Sequence, residues 1–77
     1  MAQVTVNVFA DLREYTGGSP SVHLDVAPGQ TIADVLARLG IPPERTRIIF
    51  VNSRAAGLED PLNGEEQIDL FSAIGGG

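Results

Sequence analysis

Three glycines, Gly75, Gly76 and Gly77, close the 77-residue chain, and the group they deliver is the carboxyl group of Gly77. Glycine has no Cβ atom, so such a segment can enter a channel that is too narrow for side chains. Because ordering glycines costs much backbone entropy, we expect residues 75–77 to form a flexible tail after a folded domain at residues 1–74. The alternative is a frayed chain end without a role.

The carboxylate of Gly77 is a poor electrophile until a partner enzyme adenylates it with ATP and Mg²⁺. A sulfur nucleophile can then displace AMP and leave a thiocarboxylate, which is anionic at neutral pH and strongly nucleophilic for the same reason that thiolates are. The carrier needs no cysteine for this chemistry, and the chain has none. We therefore expect Gly77 to be the reacting residue, while Gly75 and Gly76 thread into the partner's active site.

Other chemistries find little support in the sequence. One histidine, His23, and no cysteine exclude a multi-histidine or thiolate metal site, so we expect the chain to bind no metal or cofactor itself. No Ser-His-Asp set and no phosphate-binding loop is visible, which indicates that the chain is not an enzyme alone. His23 alternates with apolar neighbours and is expected on a solvent-facing side of its strand.

The charge balance argues against nucleic acid as a ligand. Ten acidic residues and five basic residues, all of them arginine, give a net charge of -5, whereas phosphate contacts need clustered cations. The acidic balance favours a partner with a basic surface, although a plain solvated surface explains it equally well. Without lysine the chain cannot form lysine-linked polymers of itself.

The first residues lead directly into strand-like sequence, so we expect no signal peptide, and no apolar run is long enough to span a membrane. We therefore expect a cytoplasmic protein without membrane contact.

Alternating apolar residues predict the strands of the folded domain that precedes the glycine tail. Residues 3–9, 21–26 and 67–71 alternate with period two, which is typical of half-buried strands. Residues 47–52 form a further strand that is apolar on both faces. Turn residues separate the strands, and Glu65-Glu66 is expected to be a solvated part of the last turn.

One amphipathic helix is predicted between the second and third strands. Thr31 is an N-cap candidate with Asp34 three residues later, and Gly40 with the following prolines ends the helix. Its apolar stripe is formed by Ile32, Val35, Leu36 and Leu39. The order β-β-α-β-β predicts an α+β fold of the β-grasp (ubiquitin-like) type, a mixed sheet with one helix packed on one face and with the first and last strands central and parallel.

Two aromatic residues, Phe9 and Phe71, point away from the predicted core face by the parity of their strands. If the first and last strands are parallel neighbours, both rings lie at one end of the sheet, close to the root of the tail. They would form an exposed docking patch bordered by Ala55. An ordinary cross-strand pair that is partly covered by a loop is the alternative.

Four short motifs give the chain a family resemblance. The first three are Val8-Phe9-Ala10 with Leu12-Arg13-Glu14, Val51-Asn52, and residues 61–66 with Ile68. The fourth is Phe71 followed by six residues, of which the last two are Gly76-Gly77. With these motifs the sequence resembles the MoaD/ThiS family of ubiquitin-like sulfur carriers over essentially its whole length. Ser72-Ala73 departs from the proline pair that is frequent in the family.

The resemblance implies a set of partners. These are an E1-like adenylating enzyme of the MoeB/ThiF type, a sulfurtransferase or cysteine desulfurase as the sulfur source, and the large subunit of molybdopterin synthase (MoaE-like) as acceptor in molybdenum or tungsten cofactor biosynthesis. It also implies that Phe9 and Phe71 meet the activating enzyme and that Arg13 pairs with a partner acid; a solvated Arg13 is the alternative. A carrier for tRNA thiolation or a ubiquitin-like modifier would use the same tail, and a β-grasp interaction module with an inert tail is a third possibility.

Overall fold

The computed structural model describes residues 2–72, so the predicted tail at residues 75–77 lies outside the described residues. The strands are β1 (Ala2–Val8), β2 (Ser21–Val26), β3 (Thr46–Val51), β4 (Arg54–Ala55) and β5 (Gln67–Ser72), the helix is α1 (Ile32–Leu39), and two 3₁₀ helices span Ala10–Thr16 and Pro43–Arg45.

The strands form one five-stranded sheet in the order β2-β1-β5-β3-β4. The first and last strands are its central pair and run parallel, while β2 and β3 pair antiparallel with them. This confirms the predicted β-grasp fold and the predicted placement of β1 beside β5.

The core lies between one face of the sheet and α1. Alternation along β1 puts Val4, Val6 and Val8 on this face, each 0% exposed, and Ile68 and Leu70 of β5 join them at 0%. Burial of these side chains supplies most of the stability of a domain this small, at about 25 cal/mol per Å² of apolar surface. The opposite face of the sheet therefore carries the side chains that are available for function.

The helix is held at both ends as the sequence predicts. Thr31 and Asp34 form a complete capping box, with the Thr31 N–H donating to Asp34 Oδ2 at 2.9 Å and the Asp34 N–H donating to Thr31 Oγ1 at 3.4 Å. Gly40 ends the helix with φ at 76°, in the left-handed region that favours glycine.

Two features of the connections were not predicted. The long first connection contains a 3₁₀ helix whose Leu12 is fully buried, and a two-residue strand, β4, follows the predicted turn after β3. Asn52 and Ser53 form this turn with φ values of 52° and 69°, the paired positive angles typical of a type I′ hairpin. Asn52 also binds β5, because its N–H donates to the Gln67 carbonyl at 2.8 Å and its Oδ1 accepts the Gln67 N–H at 3.0 Å.

Glu66 is not solvated, contrary to the prediction for Glu65-Glu66. It is only 9% exposed, and its carboxylate accepts the N–H groups of Asn63 and Gly64. A buried carboxylate needs such donors, and here the turn before β5 supplies them from its own backbone.

Candidate functional site

The register of the two central strands brings Phe9 and Phe71 together. Val8 lies opposite Leu70, and the Phe9 N–H donates to the Leu70 carbonyl at 3.2 Å, which extends the pairing by one residue. The two rings are stacked with their centroids 4.5 Å apart and their planes at 6°. Both side chains are half-buried, and both lie on the sheet face opposite the helix.

Phe50 of β3 adds a third ring to this pair. Its ring meets that of Phe71 edge-on, with centroids 5.8 Å apart and an interplanar angle of 90°. Stacked and T-shaped contacts are the two favourable arrangements of aromatic rings. All three phenylalanines of the chain therefore gather at one place on the open face.

Ile48 extends the cluster along β3. It lies opposite Phe71 in the register of β3 and β5. With 47% of its surface exposed, it is the single large aliphatic or aromatic residue among residues 2–72 that is classed as exposed. A β-bulge between Thr46 and Ile48 sets this register, so the alternation of β3 continues from Ile48 to Phe50 on the open face. We call the four residues Phe9, Ile48, Phe50 and Phe71 the aromatic patch.

Two further residues of the predicted interface lie around this patch. Ala55 is exposed and lies opposite Phe50 in the β3–β4 pairing, next to the patch. Arg13 is exposed in the 3₁₀ helix that follows Phe9, and its Nε–H donates to the Val8 carbonyl at 3.2 Å. This hydrogen bond holds Nε of Arg13 close to the end of β1, next to Phe9. The role of Arg13 in an interface stays a prediction.

The rest of the open face is polar. Asn7 Nδ2 donates to Asp69 Oδ1 at 2.8 Å across β1 and β5, and Thr5 Oγ1 lies 3.2 Å from Nδ1 of His23, which is exposed as predicted. The open face is thus divided into a polar part toward β2 and an apolar part toward β3. This division gives the patch a defined border, as expected of a docking surface with a polar rim.

Charges on the two 3₁₀ helices are partly neutralised within the chain. Arg45 Nη2 lies 3.5 Å from Asp11 Oδ2 and 3.4 Å from Glu14 Oε2, so it links the two 3₁₀ helices. These groups are substantially exposed, and each pair contributes little to stability.

The predicted reacting groups, Gly75, Gly76 and Gly77, lie outside the described residues. In the sequence, however, residues 73–77 follow Ser72, the last residue of β5 and the neighbour of Phe71. The aromatic patch is therefore located at the root of the segment that carries the terminal carboxylate. Within residues 2–72 no group of His, Cys, Asp or Glu side chains could hold a metal ion, and the single α-helix there is too short to cross a membrane.

Sequence analysis identified Phe9 and Phe71 but missed Ile48 and Phe50. Both missed residues lie in a strand that is apolar on each face, so alternation gave no reason to assign either side to the core. The sequence does place Ile48 and Phe50 on one face and Ile49 and Val51 on the other, but nothing in it indicates which of the two faces is buried.

Comparisons with known proteins agree with this geometry. The model of the ThiS family matches residues 6–77, nearly the whole chain including the terminal glycines. The small archaeal modifier protein 1 of Haloferax volcanii is 26% identical, with a TM-score of 0.75 over 92% of this chain and 97% of its own. A molybdopterin converting factor subunit 1 from Pyrococcus furiosus has a TM-score of 0.77 over 96% of this chain and 100% of its own, at 17% identity, which shows the fold alone.

One relative matches this chain over only a small part of its own length. The chain is 38% identical over 60 residues to a γ-glutamyl phosphate reductase of Desulfatibacillum aliphaticivorans, and this covers 78% of the chain but only 14% of the reductase. The likeness is thus confined to a small part of that protein. The family match over residues 6–77, together with the β-grasp sheet, shows that the chain belongs to the ThiS family of ubiquitin-like sulfur carriers and modifiers.

Proposed function

We propose that this protein carries sulfur as a thiocarboxylate on Gly77 and delivers it to an acceptor enzyme. The observation that carries the proposal is the position of the aromatic patch: Phe71 lies in β5, and the strand leads directly into the glycine segment that the family match includes. A docking surface at the root of the tail allows a partner to bind the folded domain and receive the chain end at the same time.

The proposed chemistry takes two steps on the terminal carboxyl group. An E1-like enzyme of the MoeB/ThiF type joins the Gly77 carboxylate to AMP from ATP with Mg²⁺ and releases pyrophosphate. The outer sulfur of a persulfide on a sulfurtransferase or cysteine desulfurase then attacks the acyl carbon, the bond to AMP breaks, and an acyl disulfide forms. A thiol of the partner attacks the donor's sulfur in this disulfide, forms a new disulfide with the donor, and releases the thiocarboxylate on Gly77. The chain supplies the acyl group and the docking surface, while the partners supply the catalytic residues.

The aromatic patch would supply the binding energy for these encounters. Aromatic side chains are enriched among the residues that dominate interfaces, and such residues cluster in well-packed centres. Phe9 and Phe71 are already fixed by stacking, so binding would cost little side-chain entropy. Arg13 at the border would add an ion pair with a partner acid, and Ala55 would allow close approach beside Phe50.

For the acceptor, we propose the large subunit of molybdopterin synthase (MoaE-like), so that this chain is the small subunit that provides sulfur for the molybdenum or tungsten cofactor. The sequence motifs around Phe9, Arg13 and Phe71 support this choice. We propose the cytoplasm as the compartment, where thiols and sulfur donors stay reduced.

A second candidate function, that of a protein modifier, is favoured by the comparison with small archaeal modifier protein 1. Its 26% identity is higher than the 17% of the molybdopterin converting factor subunit. A modifier would be activated in the same way, but the acyl-adenylate would end in an amide bond to an amine of another protein.

Intact mass spectrometry separates these functions. The chain is incubated with ATP, Mg²⁺, an E1-like enzyme and a sulfur donor, with and without a MoaE-like subunit. Replacement of one oxygen by sulfur at Gly77, reversed when the acceptor and its pterin substrate are added, supports the molybdopterin assignment. A thiocarboxylate that this acceptor does not consume restricts the proposal to another sulfur pathway, such as tRNA thiolation, and an amide-linked protein adduct favours the modifier. An unchanged mass with every activating enzyme tested would leave only the inert interaction module.

A further inference from the structure

The turn before β5 contains the dipeptide Asn63-Gly64, whose backbone is held by a buried carboxylate. Glu66 Oε2 accepts the Asn63 N–H at 2.7 Å and Glu66 Oε1 accepts the Gly64 N–H at 2.6 Å. Glu66 is 9% exposed, whereas the Asn63 side chain is exposed to solvent. Gly64 has a φ of 110°, a conformation that residues with a Cβ atom rarely adopt.

Asparagine followed by glycine has a specific chemical weakness. The backbone nitrogen of Gly64 can lose its proton and attack the side-chain carbon Cγ of Asn63. The new N–Cγ bond forms, the bond from Cγ to the amide nitrogen breaks, and ammonia leaves with the proton. Water then opens the five-membered succinimide to aspartate or isoaspartate, and no oxidant or other co-reactant is needed. Glycine offers no side chain to hinder the attack.

The attacking atom in this reaction is the nitrogen whose hydrogen bond to Glu66 is 2.6 Å long. Attack requires that this charge-assisted bond break and that an amide anion form beside a carboxylate, and both requirements oppose the reaction. We propose that Asn63-Gly64 is a latent deamidation site and that the Glu66 carboxylate protects it by holding the Gly64 N–H.

The position of the turn gives this modification a consequence for the whole sheet. The Glu65 N–H donates to the Gln3 carbonyl at 2.7 Å, and the Thr5 N–H donates to the Glu66 carbonyl at 3.0 Å. Isoaspartate inserts an extra carbon atom into the main chain at residue 63, so these bonds cannot all be kept. Conversion of Asn63 to isoaspartate therefore loosens the start of the β1–β5 pair that carries Phe9 and Phe71 at its other end.

The test compares deamidation rates in the full chain at mildly alkaline pH and constant temperature. Glu66→Gln keeps the size of the side chain but replaces one of the two accepting oxygens by a donor. The matched control is Glu65→Gln, which removes the same charge from the exposed neighbouring residue. Peptide mapping counts aspartate and isoaspartate at residue 63, with Asn7, which precedes a β-branched valine inside β1, as a slow internal standard.

We expect deamidation at residue 63 to be on the order of tenfold faster in Glu66→Gln than in the unchanged chain, the effect of losing one charge-assisted hydrogen bond. The control is expected to match the unchanged chain. Equal rates in all three proteins would overturn the proposal.

Hydrogen exchange of the unchanged chain gives a test that does not depend on the folding of a variant. The Gly64 amide is expected to be protected, and exchange at the rate of an unfolded chain would show that Glu66 does not hold it. If circular dichroism shows that Glu66→Gln does not fold, hydrogen exchange at the Gly64 amide of the unchanged chain decides whether Glu66 holds this N–H.

Discussion

Phe9 and Phe71 lie side by side on neighbouring parallel strands, with their rings stacked at a centroid distance of 4.5 Å. Their contact joins the first strand of the sheet to the last, and it forms the centre of the aromatic patch. The contact follows from the register of β1 and β5, in which Val8 is opposite Leu70.

This stacking should be measurable as a coupling between the two residues. In a double-mutant cycle with Phe9→Ala and Phe71→Ala, we expect an interaction free energy of about 0.5–1.5 kcal/mol in urea unfolding. Phe9→Ala combined with Thr31→Ala, which removes the helix cap on the other side of the sheet, should be additive. Additive free energies for Phe9 and Phe71 as well would contradict the stacked arrangement.

Ile48 offers a way to separate docking from folding. Because about half of its side chain is already in solvent, Ile48→Ser should lower the free energy of unfolding by only about 1 kcal/mol, which leaves the domain folded. If the patch is the docking surface, the same change should weaken binding to the activating enzyme by roughly tenfold, or about 1.4 kcal/mol. Isothermal titration calorimetry measures this loss.

The control for Ile48 is Gln67→Ser, an exposed position on the same face of the sheet in β5. It should leave the dissociation constant unchanged. A loss of affinity in both variants, or in neither, would argue against a docking role for the patch.

The proposed tail chemistry makes the last residues dispensable for folding and essential for activation. Deleting Gly77, or replacing Gly76 by valine, should abolish formation of the acyl-adenylate, because the carboxylate is displaced or a Cβ branch blocks the channel. The melting temperature should stay the same, since stability comes from the core between the sheet and α1. ATP–pyrophosphate exchange and differential scanning calorimetry measure the two effects, and a clear fall in melting temperature would indicate that the tail packs on the domain.

Ser53 is a position where the native residue is not the best one for its backbone. Its φ of 69° lies in the left-handed region, which glycine adopts without strain. Because type I′ turns favour glycine at this position, Ser53→Gly should raise the free energy of unfolding by about 0.4–1 kcal/mol. Ser21→Gly, at an exposed position in the extended edge strand β2, is the matched control and should be destabilising. Opposite signs in urea unfolding confirm the turn type; destabilisation by both changes contradicts it.

The parts of this molecule that the sequence predicts are those with a simple period. Alternation along β1 and β5 gave both the core valines and the outward direction of Phe9 and Phe71. The spacing of Thr31, Asp34 and Gly40 gave the helix with its caps. These are local rules, so they need no knowledge of the neighbouring chain segments.

The parts that were missed depend on contacts between distant segments. Ile48 and Phe50 face outward because a β-bulge sets their register against β5, and a strand that is apolar on both faces does not reveal this. Glu66 is buried because two backbone N–H groups converge on it, which only the folded turn shows. In the 3₁₀ helix, the buried Leu12 and the partly buried Tyr15 lie three residues apart on one face, and two such positions are too few for periodicity to predict the helix.

The parallel pairing of β1 with β5 also means that the aromatic patch is completed only late in the synthesis of the chain. Phe9 emerges early from the ribosome, but its ring has no stacking partner until the segment with Phe71 has been translated and has emerged too. A nascent or prematurely terminated chain that lacks β5 therefore has an incomplete patch. Under the proposed docking role of the patch, a partner would bind only chains whose synthesis and folding have included β5.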